Sequence, residues 1–186
     1  HHDDDQGHPQ PHHWSHLLGA GDVPGASTSI LPPPSVEEAH QRLGEAGQGF
    51  KLAMGALNVV RLGQVGARAV GKATHVLELM TAYANERKQF GKPIGEFQLV
   101  QQMLADSVIE INAARLMVLH AAYRIDSGLD FKSEVSMAKH FVANALNRII
   151  DRAIQVHGAL GYSTDTPLAH MYQHARWARF ADGPDE

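Results

Sequence analysis

The sequence contains no cysteine, which excludes disulfide bonds, cysteine-zinc sites and thiol catalysis. It also has no long run of lysine or arginine, and its formal net charge is −4. Nucleic-acid binding needs a basic face, so we do not expect it here. No apolar stretch approaches the roughly 20 residues that a membrane helix requires, so we expect no membrane span. The N-terminus is polar and histidine-rich rather than basic and then apolar, which does not resemble a secretory signal.

The first part of the chain lacks helical and strand periodicity. Residues 1–34 hold six of the nine prolines and six of the thirteen histidines. A segment of this composition cannot bury enough apolar surface to offset its ordering entropy. We therefore predict that residues 1–42 are a low-complexity, disordered tail. Its histidines have no fixed ligand spacing, so we expect no metal site there.

Long helical periodicity begins near Ser35 and continues to the end of the chain. It predicts four helices, which run over 49–86, 96–126 and 131–156 and from Pro167 onward. On the third helix, residues at steps of four predict the buried face: Met137, Phe141, Ala145, Ile149 and Ala153. We expect an all-α protein, an antiparallel up-and-down four-helix bundle over residues 43–186. Bundles serve many functions, so the pattern alone predicts none.

Four strings in this region resemble, in order and at matching separations, the C-terminal helical domain of acyl-CoA dehydrogenases. They are LGEAGQGFKLAM (43–54), RKQFGKPIGEFQ (87–98), SMAKHF (136–141) and QVHGALGYSTDTPLAHMYQHARWARFADGPDE (155–186). The resemblance implies a flavoprotein oxidoreductase of fatty acid metabolism. Its reaction removes a proton and a hydride from adjacent carbons of an acyl-CoA thioester, and FAD accepts the hydride. It also implies an electron-transfer flavoprotein or similar electron acceptor, and a homodimer or tetramer.

By this resemblance, Asp182 in the string Ala-Asp-Gly is the general base, where the family usually has Glu. Its backbone N–H would help to bind the thioester oxygen. Gly183 would leave room for a thioester close to the backbone. Arg61 falls where the family has an arginine beside the base and the acyl-CoA. The alternatives are an ordinary acidic residue at position 182 and, for Arg61, an ion pair on the helix surface.

The resemblance also implies FAD contacts across a subunit interface. The matching residues are Arg87, Phe90, Gln98, Gln155, Gly158 and Glu186. Arginine suits the FAD diphosphate because its planar fork matches phosphate oxygens. Without the resemblance, Gly158 is simply the C-cap of a helix, and the two interpretations are compatible. His170 and His174 lie four apart, but nothing fixes a third ligand beside them, so we expect no metal.

The chain departs from the family in lacking the N-terminal helical and middle β domains. We therefore expect a truncated protein that binds FAD weakly, if at all, on its own. The compartment would be cytoplasmic in a bacterium and mitochondrial or peroxisomal in a eukaryote. Two alternatives remain open. One is a related flavoenzyme of the same fold, acting on nitroalkanes or hydroxylating aromatics, and the other is a non-catalytic helical module that only oligomerises.

Overall fold

A computed structural model describes residues 44–45 and 47–185. The predicted tail over 1–42 and Glu186 lie outside the described residues. In the described part the helices are α1 (Gly49–Val60), a π-helical segment (Arg61–Ala67), α2 (Arg68–Glu86), a 3-10 turn (Ile94–Glu96), α3 (Gln98–Asp126), α4 (Lys132–His157), α5 (Ala159–Tyr162), α6 (Leu168–Arg176) and a second 3-10 turn (Trp177–Arg179). The all-α bundle predicted from the sequence is confirmed.

The first long helix contains a π-helical segment that the sequence did not predict. α1, the π-helical segment and α2 follow one another without a break from Gly49 to Glu86. A π turn adds a residue to the turn and so shifts the phase of the helix faces. Within the π-helical segment, Leu62, Val65 and Gly66 are buried, whereas Val60 at the end of α1 is exposed.

The break after α2 folds as a short hairpin, β1 (Lys88–Gln89) and β2 (Lys92–Pro93), paired antiparallel. The sequence predicted only a helix break here, because strands of two residues are too short to show alternation. Phe90 and Gly91 form the tip, and both have positive φ. The hairpin turns the chain back, so that α3 runs beside α2.

The core lies where α4 packs against α2, α3 and α6. Its largest fully buried side chains are aliphatic: Met80, Ile149, Ile150, Leu168, Val76 and Val142. At the surface of the same contact, the Glu110 carboxylate of α3 pairs with Arg148 and Arg152 of α4, each at 2.8 Å. These pairs tie α3 to α4 beside the apolar core.

One predicted core residue on α4 is wrong. Met137 is 51% exposed, whereas its neighbour Ala138 is fully buried. A strict step of four drifts around an α-helix, which has 3.6 residues per turn. Residues chosen at steps of four therefore face the core at Ile149 and Ala153, but the same series points away from the core three turns closer to the N-terminus, at Met137.

None of the helices in the described part of the chain combines the length and apolarity needed to cross a bilayer. Within the same residues, no three histidine, aspartate or glutamate side chains are grouped as a metal site would require.

Candidate active site

Arg61 and Asp182, which are 121 residues apart in sequence, are in direct contact. Arg61 opens the π-helical segment, and its Nε donates to the backbone carbonyl of Asp182 at 2.5 Å. Its Nη1 lies 3.4 Å from the Oδ1 of Asn58. No ion pair among the described residues involves Arg61, so the helix-surface ion pair considered as an alternative is not present there.

The turn that carries Asp182 has an unusual backbone. Asp182 has φ +55° and Gly183 has φ +107°. A side chain at Gly183 would place its Cβ 3.1 Å from the Nη2 of Arg61. Glycine is therefore favoured here by the backbone conformation and by the close approach of Arg61, a reason that the sequence did not provide. Among the described residues, no hydrogen bond to the backbone N–H of Asp182 is present.

A buried charge network, which the sequence did not predict, holds this turn in place. The Nζ of Lys139 donates to the carbonyl of Gly183 at 2.6 Å and to the Asp185 carboxylate at 2.7 Å. The other carboxylate oxygen of Asp185 accepts from Asn144 at 2.9 Å and from Arg179 at 3.2 Å. The side chains of Lys139 and Asp185 are only 8% and 3% exposed.

The electrostatics of this network favour the ionised carboxylate. Burial by itself would raise the pKa of Asp185, but the hydrogen bond and charge of Lys139, followed by Arg179 and Asn144, outweigh it. The net pKa of Asp185 is lowered. A lysine on an otherwise apolar helix face was the available signal, since Lys139 lies between the buried Val135 and Val142.

These residues surround a cleft of about 210 Å³, which we call the base cleft. Its lining comprises Arg61, Ser136, Lys139, His140 and the turn 182–185. Asp182 is half-buried there. The cleft thus brings together a carboxylate, a guanidinium and backbone N–H groups. Such a set can accept a proton while stabilising a negatively charged oxygen.

Three of the predicted cofactor residues line a second, larger opening, which we call the apolar groove. Phe90, Gln98 and Gln155 share this groove of about 840 Å³ with mostly apolar neighbours, including Leu99, Val100 and Met103. Phe90 is 94% exposed and meets Phe97 edge to face, with ring centroids 6.3 Å apart.

Two further predicted cofactor residues flank the groove without lining it. Arg87 is exposed and directly precedes β1, and its carbonyl accepts from Ile94 N–H at 2.8 Å. Gly158 is the C-cap of α4, with φ +62°, and its N–H donates to Gln155. The helix-cap interpretation of Gly158 is therefore confirmed. Its cofactor role, like that of the others, stays a prediction.

The base cleft and the apolar groove lie near opposite ends of α4. Lys139 and Gln155 are 16 residues apart on this helix. At 1.5 Å per residue this separation is about 24 Å. One copy of the chain therefore does not bring Asp182 to Phe90, Gln98 and Gln155. Glu186, the last predicted cofactor residue, lies outside the described residues.

The comparison with known proteins identifies one family. The domain described as "Acyl-CoA dehydrogenase, C-terminal domain" matches residues 47–186. Glutaryl-CoA dehydrogenase of Desulfococcus multivorans is 42% identical over 134 residues, covering 72% of this chain and 34% of that protein. The caffeyl-CoA reductase-Etf complex subunit CarC of Acetobacterium woodii is 39% identical over 163 residues, covering 87% of this chain and 43% of that protein.

Solved structures give the same result. The structure of butyryl-CoA dehydrogenase from Megasphaera elsdenii superimposes with a TM-score of 0.74 at 36% identity, covering 77% of this chain and 37% of that one. The chain spans between about one fifth and two fifths of the length of the curated relatives that it matches.

Proposed function

Because this chain belongs to the acyl-CoA dehydrogenase family, we propose that it forms the helical part of an enzyme that acts on an acyl-CoA thioester. The enzyme would transfer hydrogen to or from the α and β carbons of the thioester. Members of the family are FAD-dependent oxidoreductases. The similar proteins include both dehydrogenases and a reductase. Both directions need the same proton acceptor or donor at the α carbon. The observation that carries the proposal is Asp182, which lies in a cleft beside Arg61.

Asp182 would take the proton from the α carbon. In the oxidation, the C–H electron pair at that carbon forms the new C=C bond as the β carbon loses a hydride. In the reduction, the protonated carboxyl group returns the proton to the α carbon. The short side chain of aspartate reaches less far than glutamate, and the turn that carries it lines the cleft directly.

The backbone N–H of Asp182 would help to bind the thioester carbonyl. Proton removal from the α carbon shifts negative charge to the thioester oxygen, and preorganised N–H donors stabilise that charge. Since no described residue accepts from the N–H of Asp182, it is available as a donor. Arg61 would add a positive charge beside this oxygen while it holds the carbonyl of Asp182.

The apolar groove fits the other half of the site. Its apolar walls and the amide side chains of Gln98 and Gln155 suit a flat aromatic ring with polar edges. The exposed guanidinium of Arg87 suits diphosphate oxygens. Bound FAD supplies an acceptor for the hydride, which no side chain of this chain can provide.

The distance between the two openings supports a homo-oligomer, in which the groove of one copy serves the cleft of another. A dimer or tetramer would place the two parts together without any change within one chain. The electron acceptor would be an electron-transfer flavoprotein or a similar carrier, as the name of the Acetobacterium relative suggests. The compartment would follow the organism, being cytoplasmic in bacteria and mitochondrial or peroxisomal in eukaryotes.

The proposal is tested with a fusion protein, in which a relative provides the domains that precede the helical domain. Residues 47–186 are fused behind the preceding domains of butyryl-CoA dehydrogenase from Megasphaera elsdenii, and bleaching of the flavin absorbance by butyryl-CoA is followed. We expect Asp182→Asn to keep the flavin and lower the bleaching rate by about 10²–10⁴-fold. Asp151→Asn removes an exposed carboxylate of α4 and should leave the rate unchanged.

A fusion that binds FAD and reacts equally fast with Asn at position 182 would refute the assignment of the base. It would favour the module that only oligomerises. The unfused chain should bind FAD weakly, since its groove is open to solvent. A tightly bound flavin spectrum in the unfused chain would contradict that expectation.

A further inference from the structure

A cluster of nitrogen groups lies between α2 and α6, apart from both openings described above. At its centre is His174, whose Nδ1 is 2.7 Å from the Nζ of Lys72 and 3.0 Å from the Nε1 of Trp177. Its Nε2 is 3.3 Å from the Nη2 of Arg68. Gln64 lines the same small cavity, one turn before Arg68.

The chemistry of these groups fixes the tautomer of His174. Lysine ammonium and indole N–H can only donate, so Nδ1 must be the accepting nitrogen. The proton of the neutral imidazole is then on Nε2. Arg68 also can only donate. The Nε2–H of His174 and the guanidinium of Arg68 are therefore two donors that face each other, and a single acceptor between them would bind both.

The local charge is uniformly positive. Lys72 follows Arg68 by four residues, and like charges at that spacing repel each other on a helix. No ion pair among the described residues involves either side chain. Burial lowers the pKa of His174, and the charges of Lys72 and Arg68 lower it further, which favours the neutral ring. The neighbouring ring of His170, 6.4 Å away between centroids, adds another nitrogen group.

We propose that Arg68 and the Nε2–H of His174, with Lys72 holding Nδ1 at the opposite edge of the ring, form a binding site for a phosphate-type oxyanion. An anionic oxygen placed between Arg68 and His174 would accept from both donors and would relieve the repulsion between Arg68 and Lys72. Arginine presents a planar fork that matches phosphate oxygens, and lysine adds a point charge. The cavity itself has a volume of only about 10 Å³, so one oxygen enters it while the rest of the anion stays at the surface, beside the exposed Arg68.

The same donors exclude a metal ion at this position. A metal would need a lone pair on His174, but Lys72 and Trp177 already use the lone pair on Nδ1, and Nε2 carries the proton. The histidine pair at 170 and 174 therefore selects an anion rather than a cation. Neither the base cleft nor the apolar groove includes any of the three binding residues.

Phosphate binding can be followed by the fluorescence of Trp177, because the indole of Trp177 donates to the histidine that binds the anion. The second tryptophan, Trp14, is replaced by Phe so that the emission comes from Trp177 alone. The full 186-residue chain is titrated with inorganic phosphate at constant ionic strength, using chloride as the balancing ion. We expect a saturable change with a Kd on the order of 1 mM, equivalent to about 4 kcal/mol.

Variants then locate the site. Arg68→Gln and Lys72→Met should each raise the Kd at least tenfold, whereas Arg115→Gln, which removes an exposed arginine on α3, should leave it within twofold. A parallel titration with methyl phosphate represents the monoester of a larger molecule. Tighter binding of the ester would identify a phosphorylated metabolite as the source, and tighter binding of inorganic phosphate would identify the free ion.

Two results would overturn the proposal. One is a response to phosphate that chloride reproduces at equal ionic strength, since this would be charge screening only. The other is a saturable response that Arg68→Gln and Lys72→Met leave unchanged. Circular dichroism of each variant confirms that the helices are intact before the titration is interpreted.

Discussion

The base cleft and the apolar groove are built at opposite ends of one helix, α4, yet they are stabilised in opposite ways. At the base cleft, the polar groups that are buried find partners within the chain, from Lys139 to Asp185. At the apolar groove, large apolar side chains such as Phe90 and Leu99 are exposed, at 94% and 73%. The buried polar groups of the base cleft are therefore paired within a single copy, whereas the apolar groove leaves large apolar side chains exposed.

The free-energy costs of burying charge and of exposing apolar surface explain how the base cleft and the apolar groove differ. A buried charge is expensive unless it is paired and hydrogen-bonded, so the turn 182–185 can occupy only the geometry that satisfies Lys139 and Asp185. Exposed apolar surface instead favours burial against any complementary surface and does not fix one geometry. The contrast suits a site in which the reacting carboxylate must be held precisely while a cofactor surface is shared between copies.

The largest effect should follow from breaking the network at the base cleft. Lys139→Met leaves the buried carboxylate of Asp185 without its ammonium partner, and we expect a loss of about 3 kcal/mol in the free energy of unfolding. Urea unfolding followed by circular dichroism measures it. Lys132→Met, an exposed lysine on the same helix, should change the value by less than about 0.5 kcal/mol. Equal effects from both variants would show that Lys139 is not a special contact.

Acid should weaken the same end of α4. Since the pKa of Asp185 is lowered on folding, its ionisation stabilises the native state above the ordinary aspartate value of 3.8. This stabilisation is lost as the pH falls through the lower, folded-state pKa. Asp185→Asn should therefore be less stable than the parent by about 2 kcal/mol at pH 6, and the gap should narrow below pH 3.8. Unfolding curves of both proteins at several pH values test this, and a gap independent of pH would contradict it.

The backbone of the turn should contribute a smaller effect. Gly183→Ala forces a Cβ into the left-handed conformation and within 3.1 Å of Arg61, and we expect a loss of about 1–2 kcal/mol. Gly71→Ala is the matched control, because a Cβ on that exposed residue of α2 meets nothing within 4 Å. It should stabilise the protein by up to about 1 kcal/mol. Thermal unfolding of the two variants should therefore shift in opposite directions.

The sequence predicted what is local. The first helix begins at Gly49 and ends at Glu86 as predicted, and the second ends at Asp126 as predicted. Apolar periodicity and the glycines and prolines of the breaks set these limits, and both are readable over a few residues. The fourth predicted helix begins at Leu168, one residue after the predicted start, and Pro167 is its N-cap. Met137 was predicted wrongly because a strict step of four was extended too far along a helix of 3.6 residues per turn, and no local residue pattern marked the π-helical segment.

The candidate site likewise contains contacts that local sequence patterns could not predict. The pairing of Arg61 with Asp182 came from the resemblance to a family, since no local pattern joins residues that are 121 positions apart. The contact between Lys139 and Asp185 joins residues that are 46 positions apart, and no motif marked Asp185 as different from the carboxylates near it. The lysine was visible as a charge on an apolar face, but its partner was not.

The last prediction concerns the apolar groove, where the stability of one copy should hardly change. Phe90→Ser removes a side chain that is 94% exposed, so we expect less than about 1 kcal/mol in unfolding free energy. Self-association should nevertheless weaken by more than tenfold if the groove is covered by a second copy, because an aromatic side chain at the centre of an interface carries much of its binding energy. Sedimentation of the chain over a range of concentrations measures this.

Phe50→Ser is the control, because it removes another exposed phenylalanine, one that does not line the groove, and it should leave the association unchanged. Equal association of the parent and Phe90→Ser would mean that the groove stays uncovered between copies of this chain, and the contrast between the two ends of α4 would then require a different covering surface.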